Sequence, residues 1–419
     1  MKFFWIFLFI SIQLFAQVEY SHGVVPPGEF PGFYLDAANY KSEVEGKTRI
    51  DIYFQIPYSN LQFVKIQDKF RAKYSFTLTI YDEDKEKVIV GKTWNGSIIA
   101  NTFNETTSEK NSKFGFKSFD LEPNNYSLSS VLYDKDSKKE YTLEGKLEVR
   151  DFLKPIQFSD ILFIDSVIDS QIVLNISNSI PTSDSTVYFY YELYSDKDDE
   201  INVEYSFLSE NDDIVLRNSE IIFAKAGANS IKKKLDNSSL SLGKHKLTVS
   251  AKAQNGEIIS GVSKLFVSTI KGFPSSIFDL DEAIKQMEYI ASGDEINAML
   301  DEKDYDKKLA MFKAFWKKKD PAPSTESNSV LREYFRRVAY ANKHFKHYFD
   351  GWKTDMGMIY IVLGPPNNVD RHPFDYDSKP YEIWTYYNIS QSFYFLDETG
   401  FGDYRLLNKN YGDWYRYRE

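Results

Sequence analysis

The sequence predicts a multidomain protein in which two tandem all-β sandwiches precede an α+β domain with helices packed on a small antiparallel sheet. Residues 33–150 and 153–269 each carry runs that alternate apolar and polar, separated by polar turns, as half-buried strands do. Past residue 277 the apolar spacing changes to three and four, the helical period, before strands are expected again from Met358 on. A chain of 419 residues is also too long for one ordinary hydrophobic core.

The first residues read as an export signal at 1–16. Lys2 gives the positive start, Phe3 to Phe15 an apolar core broken only by Ser11 and Gln13, and Ala16 a small residue for cleavage. Leu14 stands two positions before Ala16, where a small residue is usual. The run is too short to span a bilayer comfortably, and no later segment is long and apolar enough. Residues 17–32, with Pro26-Pro27-Gly28 and Pro31-Gly32, read as a loose leader. The chain has no cysteine, which excludes disulfides, thiol chemistry and a lipid-modified cysteine anchor. The expected location is the periplasm, the outside of the cell, or a membrane surface reached only through a partner. A net charge of −10 argues against sequence-independent binding to nucleic acid. The 30 Tyr and 33 Phe suit β-rich cores, with exposed aromatic platforms for glycans as the alternative.

In the first β region, Ile50–Ile56 and Tyr74–Ile80 alternate along their length, and Tyr81–Lys85 is a polar turn before Val88-Ile89-Val90. A turn at Pro123-Asn124-Asn125 precedes strands near Tyr126–Tyr133 and Tyr141–Val149. The second region repeats the plan: Val187–Tyr194 echoes Ile52–Tyr58, and Leu242–Leu247 echoes Pro123–Leu128. A period of domain length implies two sandwiches, not a solenoid. The pattern resembles the immunoglobulin-like modules of bacterial envelope proteins, without a Cys–Trp–Cys core.

Lys271–Ser276 reads as a linker, and the third domain is expected at 275–419. Ile277, Leu280, Ile284, Met287 and Ile290 lie near one helical stripe; Ile296, Met299 and Leu300 begin a second helix. Leu309, Phe312, Phe315 and Trp316 form a third, stopped by Asp320-Pro321-Ala322-Pro323. A fourth is expected from Ser327 to Phe349, with a stripe of Leu331, Phe335, Val338, Asn342, Phe345 and Phe349. The strands expected to follow are Met358–Leu363, Glu382–Tyr387, Ser392–Leu396 and Tyr404–Leu407.

Several separated motifs in this third region occur in order: Phe315–Pro323, Asn328, Glu333–Asn342, Gly351-Trp352-Lys353-Thr354-Asp355 and Gly364-Pro365-Pro366. Together they resemble the bacterial GWxTD domain family over residues 275–410. That family usually has Arg where Met356 stands, and commonly another where Met358 stands. The resemblance implies an exported envelope protein and implies no settled activity. The last part is also similar in plan to small outer-membrane assembly factors and related inhibitors. In those, two helices precede a β-meander with a Gly-Pro turn and a Trp-Tyr strand, here Ile383-Trp384-Thr385-Tyr386. Such a likeness concerns fold only.

His344, His347 and Asp350 share a helix face at metal-ligand spacing, but no second ligand cluster accompanies them, and a helix C-terminus attracts His and Lys by itself. Asp355, Asp370, His372, Asp375 and Asp377 crowd around the Gly-Pro-Pro turn, where acid–base work in a cleft competes with ordinary turn chemistry. Arg332, Arg336 and Arg337 are expected to pair with nearby carboxylates rather than bind an anion. No nucleophile elbow, phosphate loop or dinucleotide fingerprint is present. The expectation is therefore no catalytic residue, no metal and no cofactor.

Asn342, inside an apolar stripe, is expected to clip loop backbone near Gly351–Asp355. Gly351 is expected to end the long helix in a left-handed conformation, with Trp352 folding back over Phe345 and Phe349. Recognition is expected to centre on Gly351, Trp352, Thr354, Asp355, Gly364, Pro365, Pro366 and Trp384. The expected function is an exported, non-enzymatic interaction or scaffold protein binding another envelope protein. The alternatives are a glycan- or peptide-directed hydrolase using Asp355 with Asp370 or His372, and a glycan-binding module.

Overall fold

A computed structural model describes residues 32–408, apart from 109–110, 169–170, 182–185, 271–272, 275–276, 278, 322–327 and 374–378. The export signal, its cleavage after Ala16, and Asp375 and Asp377 lie outside the described residues. The N-terminal part is β-rich, with several sheets, and the C-terminal part brings helices together with one small sheet.

The first β region contains β1 (Tyr34–Lys41), β2 (Thr48–Pro57), β3 (Val64–Ile66), β4 (Lys69–Asp82), β5 (Val88–Ala100), a short helix α1 (Phe103–Thr107), β6 (Ser112–Leu121), β7 (Asn124–Asp134) and β8 (Glu140–Val149). One sheet runs β1-β2-β6; the other runs β5-β4-β7-β8, with β3 on the start of β4. Ile50, Ile52, Phe54 and Ile56 point to one side of β2, and Ala72, Tyr74, Phe76, Leu78 and Ile80 to one side of β4. The two sets join in one buried cluster, with the Phe54 and Phe76 rings stacked at 4.5 Å.

The second β region contains β9 (Ile156–Phe158), β10 (Leu162–Ile168), β11 (Gln171–Leu174), β12 (Ser179–Pro181), β13 (Thr186–Ser195), β14 (Asp199–Ser209), β15 (Ile214–Ala224), β16 (Gly227–Asp236), β17 (Gly243–Lys252) and β18 (Ile258–Thr269). Its principal order, β10-β13-β16 and β15-β14-β17-β18, matches that of the first region strand for strand. Strand β13, which carries Val187–Tyr194, takes the place of β2, and the β17–β18 hairpin that of β7–β8. Val187, Phe189, Tyr191 and Leu193 meet Ile201, Val203, Tyr205 and Phe207 in a second core.

Charged groups are buried where the two β regions meet. Lys264 donates to Asp36, and Arg150 and Asn39 both donate to Asp160. Burial pushes Asp36 up, against the pull of Lys264. Burial also acts to raise Asp160, but Arg150 and Asn39 hold it below the usual carboxylate range. A buried pair of this kind is costly to break one partner at a time, so it fixes the mutual placement of the two regions.

The C-terminal part has α2 (Leu280–Lys285), α3 (Gly293–Asp301), α4 (Tyr305–Lys318), α5 (Ser329–His344) and α6 (Asp355–Leu363). Each begins at a side-chain cap: Asp279, Ser292 in a capping box with Glu295, Asp304, Asn328 and Thr354. An antiparallel meander follows, β19 (Asn368–His372), β20 (Tyr381–Tyr386), β21 (Gln391–Asp397) and β22 (Tyr404–Leu406). A third core holds Phe312, Trp316, Tyr334 and Phe335 from the helices with Trp384, Phe393 and Phe395 from the sheet. It also includes Ile270 and packs against Leu242, so it is continuous with the second β region.

Two expectations are corrected here. Met358–Leu363 is helix, not strand: Thr354 caps its start, and Gly364, at φ 82°, ends it before the two prolines. The run is apolar all round because Met356 to Val362 are all buried, so no helical stripe shows in the sequence. Helix α5 ends at His344, not Phe349, where the N–H of Phe345 closes the last turn on Ala341 O. Phe349 is 61% exposed and extends no stripe.

Candidate functional site

The Gly351–Asp355 run forms the junction between α5, α6 and the sheet. Gly351–Lys353 is one 3-10 turn. Gly351 is not left-handed as expected; it is needed for close approach. A Cβ there would lie 1.8 Å from Ala341 O and 2.5 Å from Ala341 C. Gly357 repeats the device one layer on, since its Cβ would meet Gly351 O at 1.9 Å. Helix α5, the turn and α6 thus stack backbone on backbone through two glycines.

Trp352 is 3% exposed. Its N–H donates to Asn342 Oδ1, its indole N–H to Glu282, and its carbonyl accepts from the Tyr289 hydroxyl. It is therefore tied to α5, to α2 and to the turn after α2. The expected packing over Phe349 is absent, since Phe349 faces solvent, and the Phe345 ring lies against Trp384 and Tyr360. Thr354 donates to Gly351 O and accepts from Gly357 N–H. The Asp355 carboxylate accepts the N–H of Leu406, which pins β22 to the start of α6.

The other end of α6 is held as firmly. Arg337 donates to the carbonyls of Ile361 and Val362 and to Glu333, while Arg336 makes two bonds to Glu333. Cations at a helix C-terminus satisfy its open carbonyls. The Tyr386 hydroxyl donates to Gly364 O. Arg332 is partly buried near Tyr34 of β1, and burial lowers its pKa.

Beside this junction lies a cavity of about 430 Å³. Its floor is Trp384, Phe345, Tyr360, Met356 and Val369. Trp384 is 3% exposed and donates its indole N–H to Glu382. One wall is a stack in which His344 lies 4.1 Å from Tyr340, and Tyr340 lies 4.2 Å from Tyr360. Lys346, His347, Pro366, Arg371, Asp403 and Tyr404 also line it, with Thr354, Glu382 and Gly402. The N–H of Arg371 Nε donates to Glu382, and Arg405 pairs with Asp403. His347 Nδ1 is buried without a hydrogen-bond partner among the described residues.

The far wall depends on Asp397. Its carboxylate accepts the N–H groups of Thr399, Gly400 and Gly402, shaping the loop that leads into Asp403 and Tyr404. Burial acts to raise its pKa, but the Gly402 N–H and the Thr399 and Gly400 donors outweigh it and hold the group low. A lowered folded pKa gives stability that is present above the unfolded value of about 3.9 and is lost as pH falls through the folded value. Wild type should therefore lose more melting temperature between neutral pH and acid than Asp397→Asn does. Superimposable pH profiles of the two proteins would remove Asp397 from that account.

The expected site residues divide accordingly. Trp352, Asp355, Gly351, Gly364 and Asn342 build the junction, Thr354 both builds it and lines the cavity, Trp384 and Pro366 border the cavity, and Pro365 is exposed in the adjoining turn. Asp370 and His372 lie on β19, paired at 3.2 Å, and neither they nor Asp355 line the cavity. Asp350 pairs with Lys353. Among the described residues, no three His, Asp or Glu side chains gather as a metal-ligand set, and no helix is long and apolar enough to cross a membrane. Lys346, Arg371, Glu382 and Tyr404 were not singled out by sequence reasoning, and His347 was weighed only as a metal ligand beside His344 and Asp350. They come from four separate segments, and no local pattern joins them.

Solved structures give only faint likenesses. A red sea bream transglutaminase is similar at 9% identity over 58% of this chain and 32% of that one, with a TM-score of 0.19. A β-glucuronidase of Bacteroides uniformis is similar at 9% identity over 52% and 26%, with a TM-score of 0.22. A tetra-tandem repeat from the extending region of a large adhesion protein is similar at 13% identity over 57% and 50%, with a TM-score of 0.18. The chain thus spans from about a quarter to half the length of these structures, and likenesses at this level carry no argument. No curated protein matches it. Residues 254–410 match the family model of the GWxTD domain, a span that opens in the β17–β18 hairpin and closes just past β22. The C-terminal part of this chain is a GWxTD domain.

Proposed function

We propose that this chain is an exported, non-enzymatic interaction protein of the cell envelope, and that its GWxTD domain docks another envelope protein at the cavity beside the motif. The observation that carries this reading is the division of labour around α6. The motif residues are spent on holding backbone together, while the adjacent cavity offers aromatic floor and charged rim to a ligand. A pocket of this size with a few convergent polar groups is the usual form of a binding site. The hydrolase alternative is less well supported, since Asp355 is engaged by backbone and Asp370 and His372 lie outside the cavity.

In this proposal the two β regions are immunoglobulin-like sandwiches that act as spacers ahead of the docking domain. The repeated strand order supports this, and the buried ion pairs between them favour a stiff spacer over a flexible one. Export rests on the leader composition alone.

The test is cross-linking capture from envelope extracts with the full chain, compared with Pro366→Trp. Pro366 is half-buried at the cavity, so an indole there obstructs it. Capture of a specific envelope protein should be lost in the variant while its melting temperature holds. Capture that survives the obstruction would place docking elsewhere.

A further inference from the structure

We propose that the cavity takes an acidic peptide segment, seating a carboxylate beside Lys346 and Arg371 and an adjoining apolar side chain against Phe345, Tyr404 and the edge of Trp384. This rests on the reading that the cavity is a docking site.

Charge carries the argument. The chain as a whole has a net charge of −10, yet the carboxylates of the cavity are already matched from within. Glu382 accepts Arg371 Nε–H through one oxygen and the Trp384 indole N–H through the other. Asp403 accepts two N–H groups from Arg405. The cationic side is less fully used. Lys346 is exposed and has no ion pair among the described residues. Arg371 meets Glu382 through Nε, and its side chain is 66% exposed, which leaves the rest of the guanidinium open to solvent. A ligand that brings a carboxylate completes these groups; one that brings a cation meets Lys346 and Arg371 with like charge.

The floor decides between sources of negative charge. Phe345, Val369 and Tyr404, each partly exposed over the buried Trp384, Tyr360 and Met356, give an apolar surface that a bare phosphate leaves uncovered. A peptide that alternates an acidic with an aromatic or aliphatic side chain uses both halves. The volume of about 430 Å³ lies within the range of small-ligand sites and accommodates a short segment rather than a folded surface.

The experiment uses the full chain and a labelled, end-blocked tripeptide with two glutamates flanking a phenylalanine, read by fluorescence anisotropy. Its comparison peptide carries glutamine in place of both glutamates. The acidic peptide should bind, and the glutamine peptide should bind about tenfold more weakly or less, the scale of losing a charge-assisted hydrogen bond. Lys346→Glu should weaken the acidic peptide by a similar factor with melting temperature unchanged, because its side chain is exposed; Arg371→Gln should weaken it as well, with a small loss of melting temperature because the largely buried Glu382 loses a donor. Equal binding of the two peptides would overturn the proposal. So would affinity indifferent to both substitutions, or preference for inorganic phosphate or glucuronate over the peptide. If the acidic peptide fails to bind while Pro366→Trp still abolishes capture of an envelope protein, the ligand assignment falls and the docking role stands. If the peptide binds and capture ignores Pro366→Trp, the ligand assignment stands and the docking role falls.

Discussion

Gly351→Ala is expected to destabilise the C-terminal part by at least about 3 kcal/mol, the upper end for overpacking a tight contact. The added methyl would sit 1.8 Å from Ala341 O, 2.5 Å from Ala341 C and 2.8 Å from Asn342 Cα. All three are backbone atoms of one helix, so no side chain can rotate away to make room. Relief requires the turn to move off α5. That move would strain the bond from Trp352 N–H to Asn342 and the stacking of α6 on Gly351 at once. Thermal unfolding followed by circular dichroism measures the loss. A Gly351→Ala protein that melts with wild type would mean that the close approach is not what the glycine is for.

Much of the β architecture was legible because strand burial is a local property. Ile50, Ile52, Phe54 and Ile56 alternate in sequence as they alternate in space, and so do Val187, Phe189, Tyr191 and Leu193. Helix α6 was not legible from periodicity, because a segment buried on every face has no stripe to read. Its boundary residues did carry the signal: Thr354 before the apolar run and Gly364-Pro365 after it are a start and a stop. The end of α5 failed for the opposite reason. Phe345 and Phe349 continue the helical spacing, yet the chain turns at Phe345 to bring Gly351 back against Ala341. A close backbone approach of that kind overrides periodicity and is invisible to it.

The candidate site divides along the same line. The motif is contiguous, so its presence was readable, while its bonding was readable only in part. Asn342 and Trp352 meet through one hydrogen bond, but Glu282 and Tyr289, which also hold Trp352, stand far back in the sequence. The cavity draws on the end of α5, the start of α6, β19, β20 and the loop before β22. Only folding brings Lys346 near Arg371, and no composition or spacing rule could have placed them together.

Trp352→Ala should cost roughly 3–5 kcal/mol, the range for emptying a buried aromatic site. The indole lies in the third core, so truncation leaves a void whose surroundings are fixed. On one side the backbone of α5 is already in contact with Gly351, and on the other Tyr289 and Glu282 would lose a partner or its geometry. Trp352→Phe separates packing from hydrogen bonding. It keeps most of the ring volume, removes the donor to Glu282, and should cost about 1–2 kcal/mol from the lost bond and the imperfect fit. Because Trp352 does not line the cavity, a folded Trp352→Phe protein should bind ligand as wild type does. The decisive pairing is melting temperature against binding. If Trp352→Ala keeps the wild-type melting temperature yet loses partner capture, Trp352 is a recognition residue, and the motif itself, not the cavity beside it, is the docking surface.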